Sequence, residues 1–514
     1  MVKCLLSGQN MKPLEGYPMN PATFPSGLPT LTTDLLTRDD IYIDNLFNKV
    51  WQRLGFRTLL NQSGFSKRSG TPVSEIVYLL LLWVWLKVNS IAMFSKDSLQ
   101  SFSAAKKDAL YDLLNREDLN WRKLNLLTAR KVINSTDKST LRAFVVDDSV
   151  KIRRGRKMPG VSSHFDHLTG RCTMGQQVLT LGLATEVQFV PLDSEIFISQ
   201  AKAQPLRIGF TDKRSVVAKR YRNAQERSKP EMVGEMISRA LRADITADYF
   251  LADAWFATKP ILRLTEDQSL TAIVRMKKNK MKYRLTTVEG TQLLCAAEEL
   301  YQRQIKGQWR KVSGGPYQSK SVIVELNLAQ SPSECDHWAK VKLLFVRGVN
   351  EEKQQAGKHD WALFLTTDSH LGDGKVLEIY ALRWGIEVYF KEAKQKLGFL
   401  KEQSTHYSTY LASIHLTALR FCLLLYARYE DGTARLSESR NQMIDSLCRL
   451  DFAGRLWGLF RALISGALGE LKAQYGELTA DIMEHIDRTV KQFFEQVMQM
   501  DSFTLRLEAE PGAS

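Results

Sequence analysis

Two short apolar runs that each end on an acid limit most strongly how this chain can fold. Residues 142–146 (RAFVV) lead directly into Asp147 and Asp148, and residues 249–252 (YFLA) lead into Asp253. Short runs rich in β-branched and aromatic residues are typical of buried strands. Between them lie two further strand patterns and one helical pattern, at residues 178–184, 186–198 and 229–243. The order strand, strand, strand, helix, strand predicts an α/β domain with acids at the ends of its first and fourth strands.

Helical patterns flank this domain on both sides. Residues 1–36 are rich in Pro, Gly and Thr, and we expect them to be poorly ordered. Residues 37–139 repeat apolar side chains at intervals of three and four, and the same periodicity returns after residue 373. The apolar run at residues 76–86 (IVYLLLLWVWL) is too short for a membrane span, and we interpret it as a buried core helix.

The charge balance favours a polyanionic partner. The chain has 71 Lys and Arg against 56 Asp and Glu, which gives a formal net charge of +15. An excess of this size favours nucleic acid, because basic side chains displace the counterions of phosphates. The six cysteines are scattered without zinc-binding spacing and no secretory signal is visible, so we expect a protein of the reducing cytoplasm.

Five polar residues recur at intervals of three and four in the helical pattern after residue 373: Tyr380, Arg383, Glu387, Lys391 and Lys394. Such intervals place all five on one face of a helix. A carboxylate flanked by Tyr, Arg and two Lys suits a helix that is presented to phosphates, where Glu387 could bind a metal ion. A solvated charged face without a ligand is the alternative interpretation.

The spacing of four of these residues is more specific than their chemistry. Tyr380, Arg383, Glu387 and Lys394 reproduce the YREK signature, and the chain resembles bacterial insertion-sequence transposases of the DDE class, in the superfamily named after insertion sequence four. The resemblance covers residues 142–400, about half of the chain. It implies a ribonuclease-H-like catalytic domain in which the first acid ends the first strand, the second ends the fourth, and the third lies on a later helix. The predicted strand order meets this plan.

The resemblance also implies which side chains bind metal. Two-metal phosphoryl transfer needs converging carboxylates, and Mg²⁺ or Mn²⁺ prefers such oxygen ligands. We predict two ions held by Asp148, Asp253 and Glu387, which would also be the catalytic residues. Side chains alternate along a strand, so only one of Asp147 and Asp148 can point into the site. Family members commonly place Ser or Thr after the catalytic Asp, so Ser149 favours Asp148, with Asp147 as the alternative.

The interval between Asp253 and Glu387 is far longer than one connection needs, so it must hold an inserted unit. Strand patterns within it predict a β-rich insertion at about residues 257–368. In hairpin-forming relatives a tryptophan at the end of the insertion stacks on a base flipped from the cleaved end, and Trp361 lies in the matching place. The alternative is a core residue, because a tryptophan that opens a strand is usually buried.

Basic residues near the predicted acids are candidates for contacts with the DNA backbone. The candidates outside the helix signature are Arg153, Arg154 and Arg275. Residues 202–229 form a further basic segment with the same candidate role. We predict an ordinary loop, rather than a zinc site, for three residues that have no fourth ligand nearby: His164, Asp166 and His167.

The resemblance implies a cut-and-paste transposase that cleaves its element's ends through a hairpin intermediate and joins them to target DNA. Its partners would be double-stranded DNA (terminal inverted repeats and target) and a second copy of the chain in a homodimer, with no membrane, at the nucleoid of a bacterial cytoplasm. Residues 37–139 would bind DNA ends, residues 140–400 would catalyse, and the helices of residues 401–514 would mediate dimerisation and regulation. The alternatives are a domesticated DNA-binding protein without catalysis, and a metal-dependent endonuclease that cuts but does not join.

Overall fold

The computed structural model describes residues 46–475 with gaps, and scattered residues from 480 to 489. The gaps fall at residues 87, 156, 167–169, 200–207, 279–280, 288, 306–307, 313–316, 332, 349–360, 431 and 433–434. The expected poorly ordered N-terminus, His167 and the start of the basic segment at 202–229 therefore lie outside the described residues.

In the described part of the N-terminal region, six α-helices precede the first strand. They are α1 (Leu46–Arg53), α2 (Phe56–Gln62), α3 (Val73–Leu82), α4 (Ile91–Asp97), α5 (Lys107–Asn115) and α6 (Trp121–Thr136). Helix α3 is buried along almost its whole length, which confirms that the apolar run is a core element. The carbonyls of Leu80 and Leu81, left without helical partners at the end of α3, accept hydrogen bonds from the buried Arg420 guanidinium.

A mixed sheet organises the middle of the chain. Its described strands are β1 (Ala143–Ile152), β2 (Ser162–Asp166), β3 (Arg171–Ala184), β4 (Phe189–Phe197), β5 (Tyr249–Ala252), β6 (Thr271–Met276), β7 (Lys282–Thr286), β8 (Gln292–Ala296), β9 (Arg310–Lys311), β10 (Tyr317–Asn327), β11 (Trp338–Gly348) and β12 (Trp361–Thr366). Their order is β2-β3-β1-β5-β6-β12-β11-β10-β7-β8, with β4 paired to β3 and β9 paired to β10. Strand β1 is antiparallel to β3 and parallel to β5, and β5 is parallel to β6.

Helices follow or cover the strands of this sheet. They are α7 (Val216–Glu226), α8 (Lys229–Arg242), α9 (Lys259–Asp267), α10 (Ala297–Ile305), α11 (Asp373–Ala381), α12 (Trp384–Gln395), α13 (Tyr407–Glu430) and α14 (Leu436–Tyr475). Helix α8 begins with a capping box, in which Ser228 and Glu231 satisfy each other's backbone N–H groups. The predicted α/β class with helical flanks is confirmed.

Two details of the sheet bear on the sequence-based predictions. Strand β2, which carries His164 and Asp166, pairs with the start of β3 where a loop was predicted. The prediction was wrong there because β3 begins at Arg171, well before its apolar part, and its polar half supplies a partner for β2. Strand β6 (Thr271–Met276), which lies within the predicted insertion at about residues 257–368, pairs in parallel with β5.

Helix α13 is the structural centre of the C-terminal part. By length and composition alone it could cross a membrane, and α3 together with α4 passes the same test as a bent pair. The apolar window of α13, however, is buried entirely within the fold. Its neighbours include α6 and β4, which makes it a core helix that ties the N-terminal helices to the sheet.

Candidate active site

The register of two parallel strands brings Asp147 and Asp253 together. Val146 of β1 is paired with Ala252 of β5, so the next residue along each strand is an acid. Equivalent positions of neighbouring parallel strands point to the same face of the sheet, which places the two carboxylates side by side. Burial, and next the charge of Asp253, raise the pKa of Asp147 to about 7. Two carboxylates that repel each other in this way are a donor set that a divalent cation neutralises.

Strand β6 carries a cation at the equivalent position. Val274 of β6 is paired with Ala252, so Arg275 follows next to Asp253. Burial raises the pKa of the Tyr380 phenol, and the charges of Asp253 and Arg275 also act on it. The structure therefore brings two predicted site residues, Tyr380 and Arg275, to the strand ends that carry the acids.

Asp148 points to the opposite face of the sheet. Its Oδ2 accepts a hydrogen bond from Lys229 Nζ at 2.6 Å, and its Oδ1 accepts one from Gln177 Nε2 at 2.8 Å. The Lys229 ammonium also lies 3.8 Å from the ring centroid of Trp255. In this structure these contacts hold Asp148, the residue predicted as first acid, in an ion pair with Lys229. Because side chains alternate along β1, Asp148 enters a structural ion pair, and Asp147, the alternative, meets the second acid.

The helix signature converges on the same acid. Leu382 and Arg383 form the turn between α11 and α12 but keep helical backbone angles, so the polar face continues across the turn. The Arg383 guanidinium donates a hydrogen bond to the Glu387 carboxylate and lies 3.5 Å from Asp147 Oδ2. It also lies 5.7 Å from the ring centroid of Tyr380. Arg383 is therefore a direct neighbour of Asp147, and Tyr380 and Glu387 lie beside the same guanidinium.

In the described structure Glu387 does not stand together with Asp147 and Asp253. Among the described residues, no group of three or more His, Cys, Asp or Glu side chains is arranged to hold a metal ion. Glu387 is paired with Arg383, while Asp147 and Asp253 stand together. The donor set still fits a divalent cation, because such cations bind carboxylate oxygens and would relieve the repulsion between Asp147 and Asp253. The Glu387 carboxylate is paired with Arg383, four residues before it on the chain.

Lys391 and Lys394 continue along α12 beyond Glu387, and both side chains reach solvent. Burial and the charge of Lys151 lower the pKa of Lys394, whereas the charge of Asp147 raises it. Lys394 is therefore within electrostatic reach of the first acid. Lys391 is placed on the same helix without a described contact to the acids.

Arg153 and Arg154, the basic residues that follow β1, have different environments. Arg154 is exposed, as a contact with a DNA backbone requires. Arg153 is only 8% exposed, and its Nε donates a hydrogen bond to Gln176 Oε1 at 2.9 Å. Its guanidinium also lies over the ring of Tyr410. The charged group of Arg153 therefore packs inside the protein, so of the two residues Arg154 is the better placed for the predicted DNA contact.

Trp361 is part of the core of the predicted β-rich insertion. Its side chain is only 6% exposed, and its ring stacks on Tyr301 with centroids 4.3 Å apart. The Lys278 ammonium lies 4.2 Å from the same ring, and since Tyr301 occupies one face, it covers the other. Both ring faces are therefore in contact with other side chains, so the predicted stacking on a flipped base would require Lys278 to move from the ring.

Two family descriptions match overlapping stretches of the chain. A family model for a DDE superfamily endonuclease matches residues 90–292, which contain Asp147 and Asp253. A family model for a transposase DDE domain matches residues 210–423, which contain Asp253 and Glu387. These matches support a DDE transposase. No curated protein matches the chain.

Two exposed tryptophans of this candidate site were missed in the sequence. Trp255, two residues after the second acid, is 45% exposed, and Trp384, directly after Arg383, is 63% exposed. The Asp253 Oδ1 atom accepts a hydrogen bond from the Trp255 N–H at 2.9 Å, which fixes the carboxylate and the tryptophan relative to each other. Tryptophan side chains are mostly buried in folded proteins, so two exposed ones close to the acids are unusual. The signal in the sequence was their position, because each lies within two residues of a predicted site residue.

Proposed function

We propose that this protein is a DDE transposase whose metal-binding acids are Asp147, Asp253 and Glu387. One observation carries the proposal: the parallel register of β1 and β5 sets two acids side by side, and the helix face with Arg383 and Glu387 packs against the first of them. Acids from two separate strands and a later helix are what two-metal phosphoryl transfer uses. The family matches support the same reaction class.

We also propose that the catalytic domain is ribonuclease-H-like. Strands β4, β3, β1, β5 and β6 lie side by side in this order. Strand β3 is antiparallel to both of its neighbours, β4 and β1, whereas β5 and β6 run parallel to β1. The first acid follows the buried part of β1 and the second follows β5, the fourth of these five strands in the chain. This order and these acid positions agree with the plan that the sequence resemblance implies.

The acids would hold two divalent ions, Mg²⁺ or Mn²⁺, which when bound supply an activated water and stabilisation of the leaving oxygen. Glu387 must then leave Arg383, whose planar guanidinium becomes free to bind phosphate oxygens in a bidentate way. Tyr380 would orient this guanidinium. Exposed cations around the acids would hold the DNA backbone: Arg154, Arg275, Lys391 and Lys394.

The reaction pathway, the DNA partners, the homodimer and the place in the cell are proposed on the basis of the sequence resemblance. Cleavage through a hairpin, strand transfer into target DNA and binding of terminal inverted repeats by a homodimer all follow from it, as does a place at the bacterial nucleoid. The net charge of +15 supports a DNA partner. The N-terminal helices would recognise the ends, and the C-terminal helices would join the two copies.

The test is a cleavage and strand-transfer assay with purified protein, Mg²⁺ and a library of candidate element ends, beside Asp253→Ala. Metal-dependent joined products that disappear in the variant are expected. Binding without cutting in both proteins would favour the domesticated DNA-binding alternative. Cut but never joined DNA would favour an endonuclease.

A further inference from the structure

A cleft of about 380 Å³ lies along the strand and the helix that carry the acids. Lys151 contributes to it from β1, Lys394 and Lys396 from the end of α12, and Lys401 from the segment before α13. Side chains from the N-terminal region and from α14 form the rest of the wall, among them Val84, Trp85 and Ile444. The cleft is therefore built by all three parts of the described chain.

Three of the lysines of this cleft have no salt-bridge partner among the described residues. In the part of the chain that the structure describes, Lys151, Lys394 and Lys396 form no salt bridge with a carboxylate. Arg440, also at the cleft, is paired with Glu392 at 2.6 Å. Burial and then the charge of Lys151 lower the pKa of Lys394, so the two ammonium groups repel each other. An anion in the cleft would remove this repulsion.

Lys401 is oriented toward the same space by the N-terminal region. Its Nζ donates a hydrogen bond to the Val88 carbonyl at 3.1 Å, and it lies over the ring of Trp83. Glu402 is the nearby acid whose charge acts on both Lys151 and Lys401, without a direct ion pair to either. The Glu402 carboxylate instead accepts a hydrogen bond from Ser413. The net charge that faces the cleft therefore remains positive.

The distance from the acids matches a continuous DNA strand. Lys151 lies four residues after Asp147 on the same side of β1, which corresponds to about 13 Å. Lys394 lies seven residues after Glu387, on the same face of α12, which corresponds to about 10 Å. One strand of B-DNA advances about 3.4 Å per nucleotide along the helix axis and its phosphates also wind around that axis, so both separations equal roughly two nucleotides.

We infer that this cleft binds backbone phosphates of the DNA about two nucleotides from the phosphate that is cut. The inference rests on the proposed function and adds a second, non-catalytic contact surface to it. Because the walls come from the N-terminal helices, the sheet and α14, a strand bound here touches all three.

The experiment measures binding of end DNA in EDTA by fluorescence anisotropy over a range of salt concentrations. Lys151→Ala/Lys401→Ala should reduce the slope of log affinity against log salt by about two, because each lost phosphate contact removes about one. The matched control is Lys282→Ala/Lys375→Ala, which removes two exposed lysines that pair with Glu299 and Glu378 and should leave the slope unchanged.

Truncated DNA locates the contact. On duplexes that end one nucleotide from the cut site, on either side in turn, one truncation should abolish the difference between the cleft variant and wild type. A slope equal to that of the control, or a difference that persists on both truncations, overturns the inference. Metal-dependent cutting by wild type in parallel separates the failures. If the wild-type protein cuts DNA, a negative result contradicts only the inference about the cleft. If the wild-type protein neither binds nor cuts DNA, the proposed function is contradicted as well.

Discussion

Replacing either of two adjacent aspartates should have opposite consequences, because they point to opposite faces of one strand. Asp147 lies beside Asp253 and Arg383, whereas Asp148 is paired with the Lys229 ammonium, whose side chain is only 5% exposed. Asp147→Asn removes a negative charge from the proposed metal site, and Asp148→Asn removes the counter-charge of a buried cation. Both changes preserve size, so the comparison isolates charge.

Asp147→Asn should change the rate of cleavage, whereas Asp148→Asn should change the free energy of unfolding. Loss of a metal-binding carboxylate should slow cleavage by about a thousand-fold or more, equivalent to about 4 kcal/mol of activation free energy. Asp148→Asn keeps a hydrogen-bond acceptor for Lys229 but leaves the buried ammonium unneutralised, which should lower the free energy of unfolding by roughly 3 kcal/mol. Asp147→Asn should not destabilise metal-free protein above pH 7, because it relieves repulsion with Asp253.

The assay combines single-turnover cleavage of a pre-bound DNA end with urea unfolding of the same preparations. Cleavage by Asp148→Asn should stay within about ten-fold of wild type at a temperature where the variant is folded. The assignment fails if Asp147→Asn cuts normally, or if Asp148→Asn is as stable as wild type but inactive. The second result would restore Asp148 as the metal-binding acid.

In metal-free protein the free energy of unfolding should fall as pH rises through about 7, because the raised pKa lets folded Asp147 keep a proton that the unfolded chain loses near pH 4. Urea unfolding in EDTA should show a loss of about 1–2 kcal/mol from pH 6 to pH 8, and an equal loss in Asp147→Asn would contradict the cause given. Trp361→Ala should lower the free energy of unfolding by roughly 3–5 kcal/mol, since it removes a buried ring stacked on Tyr301. An unchanged thermal midpoint with lost cleavage would instead return Trp361 to the DNA interface. Asp193→Asn should cost roughly 3–5 kcal/mol, because this buried carboxylate pairs with Arg122 at 2.9 Å and with Arg239 at 2.7 Å. Denaturant midpoints equal to those of wild type would show that the network adds no stability.

Local patterns predicted the elements that position the site, but not how strands align. The apolar run before Asp147 and the one before Asp253 form strands as expected, because burial on both faces demands continuous apolar sequence. The choice between Asp147 and Asp148 depends on the parallel register with β5, which no local pattern encodes. The environment of Trp361 likewise depends on Tyr301, sixty positions earlier in the chain, so its burial could not be derived from its neighbours.

The arrangement of charges explains how three acids can be gathered before any metal is bound. Burial, and next the charge of Asp253, already raise the pKa of Asp147 to about 7, so a third free carboxylate would add further repulsion. Arg383 offsets this by lying between Asp147 and Glu387, and its position one turn before Glu387 makes that contact a property of the helix itself. In the proposed reaction a cation and a DNA phosphate together would replace both functions of the guanidinium, since the cation would neutralise the acids and the phosphate would accept hydrogen bonds from the arginine. The spacing of Arg383 and Glu387 in the signature therefore serves the free protein as well as the proposed reaction.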